Sequence, residues 1–400
     1  MRLPDKERNK VRNFSAAAVV AISIFVAAPQ VAHASIATLF SPFSDLVRPL
    51  LKSLISTAPA AGEPSEITHI KKTHRIDERV RWYRTLIERV GPEEAQELLY
   101  RSGFPFDGET HLLNHVSGDY LYETRGVGGI LSCKDYFLSS CYHGLILRTV
   151  ADRGMDGLDA IMATCREKGQ PVAAQCAHGI GHGLVAWYGY RELPRAAGGC
   201  DALATRDDWF PTFNCYDGVF MENLWGTHEG APSPDRWIDE GDNLFPCNDP
   251  RIKEEWRVGC WANQGSALYQ RFRGDIERVS AVCLTLPPTL ERSCFDSLAR
   301  QIHPVANGDI DRVFQLCRRI PQPWDDFCLT TVAAAEFSVG GRETPFQICA
   351  RITPNGRRDC YEYLIKNITM HYEKTRDGNF LCKEISIEEY KDSCVVQTQP

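Results

Sequence analysis

Sixteen cysteines, all beyond residue 132, fall into eight close pairs in chain order, and no other feature constrains the fold as much. Cys133 pairs with Cys141, Cys165 with Cys176, Cys200 with Cys215, and Cys247 with Cys260. Then Cys283 pairs with Cys294, Cys317 with Cys328, Cys349 with Cys360, and Cys382 with Cys394. Their first members follow one another at intervals of 32, 35, 47, 36, 34, 32 and 33 residues. So even a step marks an internal repeat, and a period of roughly 34 residues suits two short helices with their turns. The long step after Cys200 marks an insertion. The expected fold is all-α, a row of α/α hairpins in a solenoid or superhelix, stapled by disulfides.

Local sequence agrees with this plan. In Val313-Phe314-Gln315-Leu316-Cys317 an apolar helix end closes on the first cysteine, and Pro321 and Pro323 break the chain. A second amphipathic helix then starts around Cys328, with Val332, Ala335 and Phe337 on its apolar side. The same plan recurs at Cys349 and Cys360. Each bridge would join the end of one helix to the start of the next. Closing such a short loop is worth about 2–4 kcal/mol in the chain-entropy model. Bridges between neighbouring repeats satisfy the same cysteine count.

In period and cysteine pairing, residues 133–400 resemble the disulfide-stapled α/α solenoids, the cysteine-rich Sel1-like proteins and their tetratricopeptide relatives. The consensus residues of those families are missing. The usual gap of ten residues between paired cysteines is also longer than the Sel1-like one. The resemblance implies a shape and assigns no function.

The N-terminus reads as an export signal, which suits a disulfide-rich chain. Arg2, Lys6, Arg8, Lys10 and Arg12 precede an apolar run from Phe14 to Ala28, and Ala32-His33-Ala34 forms a cleavage site. The expected location is periplasmic or secreted. An uncleaved N-terminal membrane anchor is the alternative, although the run is shorter than the roughly 20 residues of a membrane span. Without residues 1–34, which carry five basic and two acidic side chains, 40 Lys and Arg face 50 Asp and Glu. That acidic balance opposes a phosphate backbone and argues against a nucleic-acid partner.

Four regions follow: the signal (1–34), an amphipathic segment and linker (35–66), histidine-bearing repeats (67–246) and plainer repeats (247–400). Apolar residues between Ile36 and Ile55 stand three to four apart, as in a helix that packs on the body or touches a membrane surface. Val80, Tyr83, Ile87 and Val90 share a helical face, and Gly91-Pro92 ends that helix and starts another. Asp107-Gly108 caps a further helix, Gly126, Gly128 and Gly129 make a flexible connection, and about thirty residues after Cys215 read as a loop over one face.

The chemistry concentrates in Cys176-Ala-His178-Gly-Ile-Gly-His182-Gly. Two residues after the second cysteine of each of the first three pairs stand His143, His178 and Asp217, each followed by glycine. Equivalent positions stack along one face of a solenoid, so these side chains are expected to converge. His182 lies one helical turn beyond His178, and His111 and His115 repeat that spacing on the preceding helix. Imidazole suits Zn, Cu, Fe and Ni, and two histidines with one carboxylate suit Fe(II). The expected site is therefore a transition-metal centre (Fe, Cu or Zn) held by His111, His115, His143, His178 and His182, with Asp217 or Glu222 as the carboxylate. Glycine beside each ligand costs helix stability, about 1 kcal/mol against alanine, which makes sense where helices or a ligand come close.

Bland alternatives stand beside this reading. The histidines can be hydrogen-bonded core residues and the glycines mere packing. His69, His74, His303 and His371 read as ordinary surface residues. The aromatic and acidic set Trp187, Tyr190, Asp207, Asp208, Trp209, Phe210, Glu222, Trp225 and Trp237 would suit a glycan-acting enzyme. His228-Glu229 lacks the second histidine of a zincin, and no hydrolase, Walker or dinucleotide motif is present. Function narrows to a metal-dependent oxidoreductase or hydrolase, or a non-catalytic scaffold binding a protein partner through the repeat surface.

Overall fold

A computed structural model describes residues 64–104, 108–137, 139–205, 210–225, 235–338, 341, 343–372 and 381–398. The expected signal, the segment 36–55 and the Asp107 cap lie outside the described residues. So do Asp207, Asp208, Trp209, His228 and Glu229.

The regular structure of the described residues is all helical, as expected, with no strand among them. It opens with α1 (Ser65–Lys72), α2 (Ile76–Val90) and α3 (Pro92–Arg101). Ile67, Ile70, Tyr83, Leu86, Ile87 and Leu99 meet here in a small core with no exposure. Gly91, at φ +88°, lets the chain turn between α2 and α3, and Pro92 occupies the first helical position, where its missing N–H costs nothing. Helix α1 starts within the stretch read as linker, and Glu66 there is buried and bonded to Arg89 at 2.7 and 2.8 Å.

Long helices α4 (Gly108–Arg125), α5 (Ser140–Arg153), α7 (Gln170–Tyr188), α9 (Thr212–Trp225) and α10 (Glu254–Arg271) follow. The series continues with α12 (Pro288–Ala306), α14 (Trp324–Ser338) and α16 (Pro354–Tyr372). Each of these packs against the next in turn, so they form one row. Shorter helices intervene: α6 (Leu158–Glu167), α8 (Leu193–Ala204), α11 (Ile276–Cys283), α13 (Ile310–Cys317) and α15 (Thr344–Arg351), with α17 (Glu388–Thr398) at the end. Asp275 and Asp309 begin α11 and α13 identically, each accepting at 3.0 Å from a backbone N–H three residues on.

All eight disulfides join the sequential pairs, and none links one pair to another. Cys133 is bonded to Cys141, Cys165 to Cys176, Cys200 to Cys215, and Cys247 to Cys260. Likewise Cys283 is bonded to Cys294, Cys317 to Cys328, Cys349 to Cys360, and Cys382 to Cys394. In the plainest cases, those of Cys283 and Cys317, the bridge ties the last residue of a short helix into the following long one. Cys349, near the end of α15, is tied in the same way to Cys360 in α16. Every cysteine is buried within one continuous apolar core running from Leu121 to Cys394. Eight buried disulfides fit an oxidising compartment. Among the described residues no helix is long and apolar enough to cross a membrane.

Two expectations need correction. Residues Gly126–Ser132 form a 3₁₀ helix with Gly129 and Ile130 buried, rather than a flexible connection. The stretch after Cys215 is helical up to Trp225, so the irregular part of the insertion starts later than its lack of periodicity suggested. Its apolar residues point to two sides because α9 is sandwiched between α7 and α10.

Candidate metal centre

Three long helices bring the five histidines together. His111 and His115 lie one turn apart on α4, His143 lies on α5, and His178 and His182 lie one turn apart on α7. The rings of His111 and His115 are 4.7 Å apart between centroids, and those of His178 and His182 are 4.8 Å apart. His143 sits between the pairs. Its ring centre is 5.2 and 5.9 Å from His111 and His115, and 5.1 and 5.3 Å from His178 and His182. The five rings thus lie side by side across three helices.

The glycines explain how such bulky rings can meet. A Cβ on Gly144 would overlap the His115 carbonyl oxygen, and a Cβ on Gly218 would overlap the His178 carbonyl oxygen. The helices thus cross backbone to backbone, α4 on α5 and α7 on α9, and the side chains beside each crossing are held close. Position along α4 is set by a buried polar network. The Tyr83 hydroxyl lies 3.1 Å from Asn114 Oδ1 and 2.9 Å from Ser117 Oγ, and Asn114 Nδ2 donates to Ser140 Oγ at 2.9 Å.

His111, His115 and His143 form a group that could hold a metal ion, with one ligand atom from each lying within 4.8 Å of the others. His111 Nδ1–H donates to the Phe137 carbonyl at 2.8 Å, leaving the Nε2 lone pair turned to His143 Nδ1 at 3.3 Å. Phe137 and Ser139 both hold left-handed backbone, φ +50° and +60°, inside the short loop between Cys133 and Cys141. Strain of this kind persists only where the surroundings hold it in place, and here it aims a carbonyl at a candidate ligand.

The second pair carries a firmer arrangement. His178 Nδ1–H donates to Asp217 Oδ2 at 3.0 Å, and His182 Nδ1–H donates to Glu222 Oε2 at 2.8 Å. Carboxylates on both Nδ1 atoms leave a lone pair on each Nε2, and these two Nε2 atoms face one another at 3.0 Å. Facing lone pairs repel unless a cation lies between them. With metal–nitrogen bonds of 2.0–2.1 Å, two ligands on one ion stand about 2.9 Å apart at a right angle and about 3.3 Å apart in a tetrahedron. Both observed separations, 3.0 and 3.3 Å, match that window.

Asp217 and Glu222 therefore orient imidazoles through their outer nitrogens, the arrangement by which carboxylates fix the tautomer of a metal-bound histidine. Both are buried, Glu222 completely. Burial opposes ionisation of Asp217. The hydrogen bond from His178, helped by Arg300 and Asn263, outweighs it and holds the carboxyl below its ordinary range. His143 has the opposite problem. Burial, and then the surrounding imidazoles of His178, His111, His182 and His115, push it far below the ordinary histidine range and keep it neutral. Its Nε2 is buried with no hydrogen-bond partner. A neutral, buried, unpartnered ring nitrogen is what a metal ligand looks like before the metal is counted.

Three contributors escaped the sequence reading. Asn263 on α10 donates to Asp217 Oδ1 at 2.8 Å, the Tyr190 hydroxyl donates to Glu222 Oε1 at 2.6 Å, and Phe137 acts through its backbone. Asn263 stands three residues after Cys260, one place off the register that was read, and a backbone carbonyl has no residue-type signal at all. Tyr190 was singled out only as an aromatic. With both oxygens of Glu222 bonded, that carboxylate is not presented to a sugar, while Phe210 and Trp237 are buried in the core. His303 also departs from the expectation: it is half-buried and pairs with Glu336 at 3.1 Å, so it is no ordinary surface residue. His69 and His74 are exposed, as expected.

No protein-family model, curated protein or solved structure matches the chain.

Proposed function

We propose that this protein is an exported metalloprotein whose five-histidine centre holds a transition metal and supports metal-dependent oxidoreductase or hydrolase chemistry. The observation that carries the reading is the pair of Nε2 atoms of His178 and His182, 3.0 Å apart with both Nδ1 atoms already committed to carboxylates. Asp217 and Glu222 serve the outer nitrogens, so the set left for the metal is imidazole alone. That set favours zinc or copper over the Fe(II) arrangement, which needs a carboxylate ligand. A bound ion of this kind supplies a Lewis acid that lowers the pKa of coordinated water or, for copper, a one-electron redox couple.

The chain's own part is to position, to neutralise and to exclude water. Tyr190 and Asn263 fix the two carboxylates, the carboxylates fix His178 and His182, and the Phe137 carbonyl fixes His111. His143, His178 and His182 are exposed by 4, 8 and 2 %, and His111 is the least buried of the five. Such enclosure favours small diffusible substrates over polymers. The helices after residue 247 we assign to rigidity or to binding a protein partner.

Metal analysis of protein purified from an oxidising compartment tests the reading. Zinc or copper should copurify, or load on exposure, and His178→Ala/His182→Ala should lower the metal content. Wild-type protein that remains metal-free after exposure to Zn, Cu and Fe would refute it.

A further inference from the structure

We propose that the centre takes two metal ions, one on His111 and His115 and one on His178 and His182, with the His143 ring shared between them. The inference rests on the reading of the cluster as a metal centre and adds its nuclearity and the role of the middle ring.

Each histidine pair has its own support. On α4 the Phe137 carbonyl holds the outer nitrogen of His111, and on α7 the Asp217 and Glu222 carboxylates hold those of His178 and His182. Nitrogens converge on both sides, and on the α4 side His111, His115 and His143 each offer one within 4.8 Å of the others. Those of His178 and His182 converge on each other at 3.0 Å, while His111 Nε2 converges on His143 Nδ1 at 3.3 Å. His143 thus joins the α4 pair through Nδ1. If a single ion used that nitrogen, Nε2 of the same ring would stay buried without a partner. Leaving a buried polar atom unsatisfied is costly. The ring centre lies 5.1 and 5.3 Å from those of His178 and His182, so the α7 pair is the neighbour that its second nitrogen would serve. A shared imidazole separates two ions by roughly 6 Å, given metal–nitrogen bonds of 2.0–2.1 Å.

Charge and protons balance. A ring that binds through both nitrogens must lose its remaining N–H proton, which passes to bulk water as the second ion loads. Two divalent ions then bring four positive charges, against one on the His143 imidazolate and one each on Asp217 and Glu222. A net single positive charge is far easier to bury than two uncompensated cations.

Copper(II) is the probe, used on the folded full chain with its disulfides intact. Native mass spectrometry counts the ions and electron paramagnetic resonance reads whether they interact. The wild type should bind two coppers, with a signal that grows over the first equivalent and falls as the second couples to it through the ring. His143→Gln should still bind copper but lose the coupling. Should that variant fail to fold, His111→Gln/His115→Gln and His178→Gln/His182→Gln carry the test: each should bind one copper and give an uncoupled signal. A single copper on the wild type would overturn the two-ion centre while leaving a metal centre in place. Two uncoupled coppers would overturn the sharing of His143. No copper at all would overturn both this inference and the reading beneath it.

Discussion

Gly181 on α7 lies against the Cys215 carbonyl of α9, and Gly265 on α10 lies against the Cys294 carbonyl of α12. Each glycine stands three residues after the position that faces the crossing, which is His178 in one case and Ala262 in the other. Across the joint the partners are Asp217 and Asp296. At the first crossing the carboxylate holds an imidazole. At the second, Asp296 turns to Arg300 at 2.8 Å and to Thr331 at 3.2 Å. Ser297 replaces the following glycine, and its Oγ accepts from the Ser266 backbone N–H at 2.9 Å. The joint is the same while the chemistry differs. Close helix contact is therefore a property of the framework, and the facing residue decides whether a ligand is presented. Glycine beside a histidine, read from sequence as a possible sign of a ligand, is a sign of the crossing.

The largest effect should come from blocking the joints. Gly181→Ala and Gly265→Ala each place a methyl group on backbone that cannot step aside, and each should cost about 3 kcal/mol or more in a denaturant titration. A harmless Gly265→Ala beside a damaging Gly181→Ala would break the equivalence of the two crossings.

Staples come next. Replacing Cys165 and Cys176, or Cys283 and Cys294, by serine opens loops of equal separation, 11 residues. Either change should cost about 3 kcal/mol. Only the first should also weaken metal binding, because Cys176 anchors α7 two residues before His178. Equal losses of metal affinity would mean that the two halves are more tightly coupled than their chemistry suggests.

Metal itself gives a similar but conditional gain. At free zinc or copper 100 times the dissociation constant, the wild type should be stabilised by about 2.7 kcal/mol. A chelator should remove this, and His178→Ala/His182→Ala should largely lack it, whereas His303→Ala in the plainer half should keep it. Thermal unfolding with and without the ion decides the point.

The smallest effect concerns two carboxylates outside the centre. Arg89 holds the Glu66 carboxyl down at about 2, and Arg319 does the same for Glu277. A carboxyl lowered on folding adds stability above its ordinary value near 4.5, and the gain is lost as the pH falls through about 2. Glu66 is buried and Glu277 exposed. Glu66→Gln should therefore cost about 1 kcal/mol at neutral pH, and Glu277→Gln, screened by water, next to nothing. In acid titrations of stability, the gap between wild type and Glu66→Gln should close towards pH 2.

By itself the sequence determined the helical class and singled out the five histidines, and it offered the sequential pairing of the sixteen cysteines beside bridges between neighbouring repeats. It could do so because these features are local or periodic: a short loop limits which cysteines meet, and residues four apart in a helix share a face. The tertiary structure decided the contacts. Asp217 and Glu222 could be read as ligands until their distances to the Nδ1 atoms of His178 and His182 were known, since a carboxylate looks the same in sequence on either nitrogen. Asn263 and the Phe137 carbonyl reach the centre from 46 and 26 residues away in the chain, across crossings that no local pattern encodes. The middle position of His143, neutral and with a buried nitrogen unspent, exists only where three helices meet.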